Sequence, residues 1–113
     1  MVSVEFTSKG NKLSLKLQGH AGQAELGRDI VCSACTILAY TTAQVVKNES
    51  ETGGLEATPK IDFDNGNATI ICKPTRDRFE AVYNAFAVVQ TGFSLLAHNF
   101  PQNVELKMFG KAS

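Results

Sequence analysis

The sequence predicts a small α+β sandwich in which an antiparallel-rich sheet packs against two long helices, in the order ββαββαβ. Apolar residues alternate in five short segments, recur at helical spacing in two long ones, and are separated by turn residues. A chain of 113 residues is long enough for a real core but short for two domains. We therefore expect one domain over residues 1–113.

The first part of the chain predicts a hairpin followed by a helix. Apolar residues alternate in VSVEFT and again in KLSLKLQ, and the SKGN between them supplies turn residues. After a loop of small residues, the apolar period becomes helical from Asp29 to about Lys47. If the helix begins near Asp29, Cys32 lies in its first turn.

The second part predicts another hairpin, a second helix and a last strand. KIDFDNGNATIICK contains the tight-turn dipeptide NG between two alternating segments. An apolar stripe over residues 79–96 predicts the helix, for which Thr75 and Asp77 are candidate caps, and a proline at position 101 ends it. The segment NVELKMF then alternates as a strand.

Charge and composition argue against several functional classes. Eleven basic and eleven acidic side chains balance, so we expect no direct nucleic-acid partner bound by bulk electrostatics. No run of eighteen apolar residues and no signal-peptide pattern is visible, which predicts no membrane partner. Three cysteines are an odd number, so reduced thiols and a cytoplasmic location fit best.

Most of the reactive side chains fall in GHAGQAELGRDIVCSACT, residues 19–36. One interpretation is a nucleophilic thiol, Cys32, paired with His20. An unperturbed thiol is only about 3% ionised at pH 7, and making it mostly thiolate takes roughly 2.7 kcal/mol. A helix N-terminus supplies at best about 2 kcal/mol. A protonated imidazole would close that gap, and the glycines of the loop make a fold-back easy.

Other interpretations of the same residues stay open at this point. Cys32 and Cys35 form a C-x-x-C, as in redox dithiols. His20, Cys32, Cys35 and Cys72 would suffice for a tetrahedral zinc site. The cysteines are otherwise buried small hydrophobes. His98 either complements the dipole of the second helix or is an alternative partner for a cysteine.

The pattern GHAG, a short loop and then G-x-DIVC resembles the ribosomal-processing cysteine protease family, Prp, over nearly the full chain. The resemblance implies a homodimeric cysteine endopeptidase with a Cys–His dyad, in which Cys32 is the nucleophile and His20 the general base. It implies a substrate, the N-terminal extension of a large-subunit ribosomal protein precursor, cut after a bulky apolar residue. It implies no cofactor and no metal.

The resemblance also implies supporting residues. Asp29 matches the family's acidic residue beside the cysteine and either orients an imidazole or caps the helix. Thr36 keeps a hydroxyl one turn from Cys32, whereas Cys35 departs from the family's pattern and weakens the redox interpretation. The residues of the expected substrate loop are Gly19, Ala21, Gly22 and Gly27. Backbone N–H groups at the helix start are the expected oxyanion donors.

Two alternatives to a protease remain from the sequence. The same fold would also suit a ribosome-associated module that binds the extension peptide without cutting it. A thiol redox or zinc protein is the third interpretation, on the cysteines and His20 described above.

Overall fold

A computed structural model describes residues 1–19, 26–64 and 66–109, without the side chains of residues 26–29. The element order is ββαββαβ, which confirms the predicted α+β class. The elements are β1 Val2–Lys9, β2 Lys12–Gln18, α1 Leu26–Glu51, β3 Lys60–Asp64, β4 Asn67–Cys72, α2 Phe79–Asn99 and β5 Val104–Phe109.

The five strands form one mixed sheet in the order β3-β4-β2-β1-β5. All neighbours are antiparallel except β1 and β5, which run parallel. Because side chains alternate across a strand, the register places Leu106, Val4, Leu17, Ala68 and Phe63 in one row on the face that the helices cover.

The opposite face of the sheet carries charge. One row there contains Lys107, Glu5, Lys16, Thr69 and Asp62, in which acidic and basic residues neighbour one another on adjacent strands. Such pairs stabilise a sheet modestly and keep the face solvated. The two hairpins form as the alternation predicts, and Gly66 adopts a φ of 83°, which suits its place in the β3–β4 turn.

Helix α1 is longer than the sequence predicts. It begins at Leu26 instead of Asp29 and ends at Glu51 instead of about Lys47. The predicted start is too late because it leaves Gly27 outside the helix, where a glycine costs about 1 kcal/mol. Extending an existing helix gains one hydrogen bond per residue, and that gain outweighs the local cost. Cys32 is consequently the seventh residue of the helix, in its second turn, and the first-turn prediction is wrong.

One stripe of α1 packs against the sheet. Its buried residues are Val31, Cys35, Ala39, Thr42, Ala43 and Val46. The buried hydroxyl of Thr42 donates to the carbonyl of Leu38 (2.9 Å), so its burial leaves no unpaired donor. The span Ile30–Glu51 is the one helix among the described residues that is long and apolar enough to cross a membrane, by length and composition only. The core helix of a soluble protein passes the same test, and α1 packs one buried stripe against the sheet.

Helix α2 packs its predicted apolar stripe into the core. Phe93 is fully buried, and its ring meets Phe6 edge to face with centroids 5.9 Å apart. The predicted cap is wrong. Arg78 occupies the N-cap without a side-chain cap, because the Thr75 hydroxyl donates to the Asp77 carboxylate (2.8 Å) and neither reaches the helix.

The two helices lie antiparallel on the sheet. An ion pair joins Arg78, at the start of α2, to Glu49, near the end of α1. At the middle of the helices, a side chain at Gly92 would come within 3.0 Å of Leu38, so the glycine permits this close approach.

Candidate active site

A cavity of about 340 Å³ opens between α1 and the β3–β4 hairpin. Helix α1 contributes one wall, and the turn residues of the hairpin contribute the other. Val2, Leu17 and Ala68 of the sheet also line it. The side chains from α1 that line the cavity are Cys32, Cys35, Thr36, Ala39 and Tyr40.

Cys32 is half-buried at this cavity, so its sulfur is both sheltered and reachable. Thr36, one turn further along α1, lines the same cavity and is exposed. The sequence predicted this pairing from the four-residue spacing, since positions i and i+4 of a helix lie on the same face. The structure therefore brings three of the predicted site residues to one cavity: Cys32, Thr36 and Gly19.

The longer helix changes which backbone groups are free near Cys32. The unbonded N–H groups of a helix belong to its first four residues, here 26–29. They lie about 4.5–9 Å before Cys32 along the helix axis. The N–H of Cys32 itself is inside the helix, so any backbone oxyanion donors come from the turn that precedes it, and this stays a prediction. Thr36 and Asn67 are further hydrogen-bonding side chains that line the cavity.

Gly19 lines the cavity and makes one hydrogen bond there. Its N–H donates to Oδ1 of Asn67 at a long 3.4 Å, and its φ of 98° lies in the region that favours glycine. A Cβ at this position would collide with the carbonyl oxygen of Met1. Gly19 therefore fixes the point from which the chain continues to His20.

The remaining residues that the sequence singled out divide into three groups. Gly27 and Asp29 belong to the first turn of α1, and the side chain of Asp29 is outside the described part. His98 is exposed in the last turn of α2, the dipole-complementing place predicted for it, and it does not line the cavity. The predicted residues outside the described ranges are His20, Ala21 and Gly22.

Cys35 and Cys72 are core residues. Burial raises the pKa of the Cys35 thiol to about 11, with a smaller contribution from Cys32. Burial also raises the pKa of Cys72 to about 12, with a smaller contribution from Glu49. Both are therefore protonated thiols near neutral pH, which is the state of a structural cysteine and not of a nucleophile.

The zinc interpretation needs the cysteines to converge. Cys72 ends β4, and the next residue, Lys73, is hydrogen-bonded to Glu56 just after the end of α1. Cys32 lies in the second turn of that helix, about 28 Å before its last residue along the axis. Within residues 1–19, 26–64 and 66–109, no three His, Cys, Asp or Glu side chains are grouped closely enough to hold a metal ion. The three cysteines thus do not form the cluster that a zinc site requires.

Thiol labelling distinguishes these environments. With iodoacetamide at about pH 7.5, we expect one label per folded chain, on Cys32, because the other two thiols are buried and protonated. Raising the pH towards 11 should recruit Cys35 as it ionises. Peptide mapping after labelling measures both steps, and labelling of Cys35 at the lower pH at the same rate as Cys32 would contradict the assignment.

The sequence interpretation missed Tyr40, Phe63 and Asn67 at this cavity. Tyr40 was detectable, because it follows Cys32 and Thr36 at four-residue intervals on the same predicted helix. Phe63 and Asn67 were not, since only the strand register and the position of α1 bring the hairpin turn to the cavity.

Comparisons with known proteins agree with this architecture. The family model described as cysteine protease Prp matches residues 1–105. A Streptococcus mutans protein, SMU.848, is 27% identical with a TM-score of 0.71, over 98% of this chain and 96% of that one. A comparison with curated protein sequences gives no significant match.

Two further similar structures are of the ribosomal processing protease Prp from Staphylococcus aureus. The structure with a covalently linked product peptide has 19% identity and a TM-score of 0.70, and that with a substrate peptide has 18% and 0.63. Each match covers 96% of this chain and 99% of the other. At these identities they establish the fold, and the family model establishes the membership. The chain belongs to the cysteine protease Prp family, and it is a cysteine protease.

Proposed function

We propose that this protein is a ribosomal processing endopeptidase that removes the N-terminal extension of a large-subunit ribosomal protein precursor. The observation that carries the proposal is the position of Cys32, half-buried in a cavity that Gly19 also lines. The Staphylococcus aureus protease with this fold has been crystallised with substrate and product peptides, which supports a peptide as the ligand of this site.

The proposed dyad consists of Cys32 and His20, and the direction of β2 supports it. Leu17 pairs with Ala68, which pairs with Phe63, whose ring contacts Tyr40 of α1. Just beyond the end of β4, the carbonyl of Lys73 accepts a hydrogen bond from the N–H of Glu56, which follows the end of α1 (2.8 Å). The ends of β4 and α1 therefore lie together, so these two elements run the same way and β2 runs opposite to both. After Leu17 the chain therefore advances through Gly19 towards the end of the cavity that holds Cys32.

In the proposed mechanism the imidazole of His20 takes the proton from the Cys32 thiol, and the sulfur attacks the scissile carbonyl carbon. When the tetrahedral intermediate collapses, the C–N bond breaks and His20 returns the proton to the leaving amine. That amine is the N-terminus of the mature ribosomal protein. Water then hydrolyses the thioester, which releases the extension and restores the thiol.

Supporting roles follow for the neighbouring residues. The Thr36 hydroxyl and the Asn67 carboxamide, which line the cavity, are available to bind the carbonyl oxygen as charge develops. Asp29 either orients the imidazole or stabilises the first turn of α1 through the helix dipole. Gly19, Ala21 and Gly22 belong to the proposed substrate loop, and Gly27, in the first turn of α1, stands where that loop meets the helix.

The proposal extends to assembly and location: a single Prp-like domain over residues 1–113 that forms a homodimer in the cytoplasm. Exposed apolar residues on the outward faces of both helices support the dimer, since such a face is typical of an interaction surface. They are Ile30, Ile37, Val88 and Leu95, each at least 60% exposed. Sedimentation equilibrium tests this, and a monomer at high micromolar concentration would contradict it.

The proposed function is tested with a synthetic peptide that spans the extension and the first residues of the mature arm. We expect the wild-type protein to cut it at one bond, which mass spectrometry of the products identifies. A peptide that binds the protein but stays intact would contradict the endopeptidase proposal. Cutting at many unrelated bonds would contradict the processing role.

A further inference from the structure

The cavity extends along α1 well beyond the sulfur of Cys32. Cys32, Thr36 and Tyr40 follow one another at four-residue intervals and all line it. At the far end, the rings of Tyr40 and Phe63 lie 4.9 Å apart between centroids, at an interplanar angle of 51°. We call these two rings the aromatic platform.

The platform leaves much of its surface uncovered. Tyr40 is 53% exposed and Phe63 is 39% exposed, although both rings line a concave surface. Large apolar side chains exposed in a cavity are favourable binding positions, because a ligand that covers them removes apolar area from water. The platform is also continuous with the cavity that holds the proposed nucleophile, so the peptide that reaches Cys32 is the natural occupant.

The separation along the helix fixes which part of that peptide meets the platform. Tyr40 is eight residues after Cys32 in an unbroken helix, which corresponds to about 12 Å along the axis. An extended peptide advances about 3.3 Å per residue. Three to four substrate residues therefore span the distance, and the residue at the scissile bond is too close to Cys32 to contact the platform.

The proposed function indicates the direction of the peptide. The leaving amine, on the C-terminal side of the scissile bond, lies beside His20 in the proposed mechanism, and β2 leads into Gly19 in the direction from Tyr40 towards Cys32. The Tyr40 end is then left for the N-terminal part of the substrate. This step rests on the proposed function, whereas the separation above does not.

We propose that Tyr40 and Phe63 are specificity-determining residues that bind an apolar side chain of the substrate, three or four positions before the scissile bond. Asp64 lies beside the platform and lines the same cavity, so an acidic substrate side chain at this position is disfavoured. The recognised peptide is thus extended and carries an apolar residue well inside the segment to be removed.

The test is an alanine scan of the synthetic extension peptide, measured against wild-type protein and the variant Tyr40→Ala. With wild-type protein, alanine at the third or fourth position before the bond should lower kcat/KM roughly tenfold, mainly through KM. With Tyr40→Ala, the unchanged peptide should show that loss already, and alanine at the same position should add little. Tyr40→Phe should behave as wild type, because the ring remains.

A matched control is Tyr83→Ala, which removes an exposed aromatic ring on α2 outside this cavity. It should leave the scan unchanged. Two outcomes would overturn the platform. In the first, each alanine peptide lowers kcat/KM by the same factor for Tyr40→Ala and for the wild-type protein. In the second, the wild-type protein loses kcat/KM only when alanine replaces a residue next to the scissile bond.

Binding to the variant Cys32→Ala, followed by fluorescence anisotropy of a labelled peptide, separates the two proposals. If the wild-type protein binds the peptide without cutting it, the proposed function fails. In that case the proposal for Tyr40 and Phe63 is still supported if alanine at the third or fourth position weakens binding about tenfold. If the peptide is cut but alanine at those positions does not change its binding, the proposal for Tyr40 and Phe63 is wrong and the proposed function is not affected.

Discussion

Replacing Cys32 by alanine is expected to abolish cleavage of the extension peptide, with kcat falling by roughly 10⁴-fold or more. The Cys32 sulfur is the atom that forms the bond to the substrate carbonyl in the proposed mechanism. The two remaining thiols, including that of Cys35 at the cavity wall, are buried and protonated and do not replace it. Single-turnover assays with product detection by mass spectrometry measure the effect.

The matched control is Cys35→Ser, which changes the same atom one turn away. Cys35 is only 3% exposed and its thiol is protonated, so activity should stay within a few-fold of wild type. A loss as large as that of Cys32→Ala would revive the dithiol interpretation. His20→Ala should reduce kcat with little change in KM, since the imidazole moves a proton and does not hold the peptide.

Replacing Phe93 by alanine is expected to cause the largest loss of stability, about 3–5 kcal/mol. The ring is completely buried and packs edge to face against Phe6, so its removal leaves a cavity between α2 and the sheet. A domain of this size is stable by only about 5–15 kcal/mol, and the variant should unfold at a much lower urea concentration. The chain has no tryptophan, so far-ultraviolet circular dichroism is the suitable probe.

Ser94→Ala provides the comparison on the same helix. Its side chain is exposed and is not among the apolar residues proposed for the dimer, and the substitution also improves helix propensity, so stability should change by less than about 0.5 kcal/mol. A comparable urea midpoint for Phe93→Ala and Ser94→Ala would mean that the core is not arranged around Phe93.

The periodicity of the sequence was sufficient for the fold, because each element repeats its apolar residues over several positions. The stripe from Phe79 to Leu96 and the alternation in β1 each carry a signal that no single residue disturbs. Helix ends carry less information, since they depend on one or two residues. Gly27 disfavours a helix, yet α1 includes it. Thr75 and Asp77 are typical caps, yet they bond to each other and the N-cap of α2 is Arg78.

The residues of the cavity also divide into those that the sequence predicts and those that it does not. Cys32 and Thr36 share a cavity wall because they are neighbours on one helix, a relation that spacing alone predicts. The opposite wall depends on pairing between strands that are far apart in the chain. No local pattern near Phe63 or Asn67 indicates that the hairpin turn faces α1, so their contribution required the three-dimensional arrangement.

The parallel pairing of β1 with β5 has a consequence for the order in which the molecule folds. Val2 pairs with Val104, so this contact closes a loop of about a hundred residues before it gains any stability. Contacts of such high sequence separation slow folding, and strand pairing between distant segments is expected late. Val2 also lines the cavity that holds Cys32. That cavity is therefore expected to reach its final shape only in the last folding step, so intermediates with a formed hairpin and helices should not yet bind a peptide there.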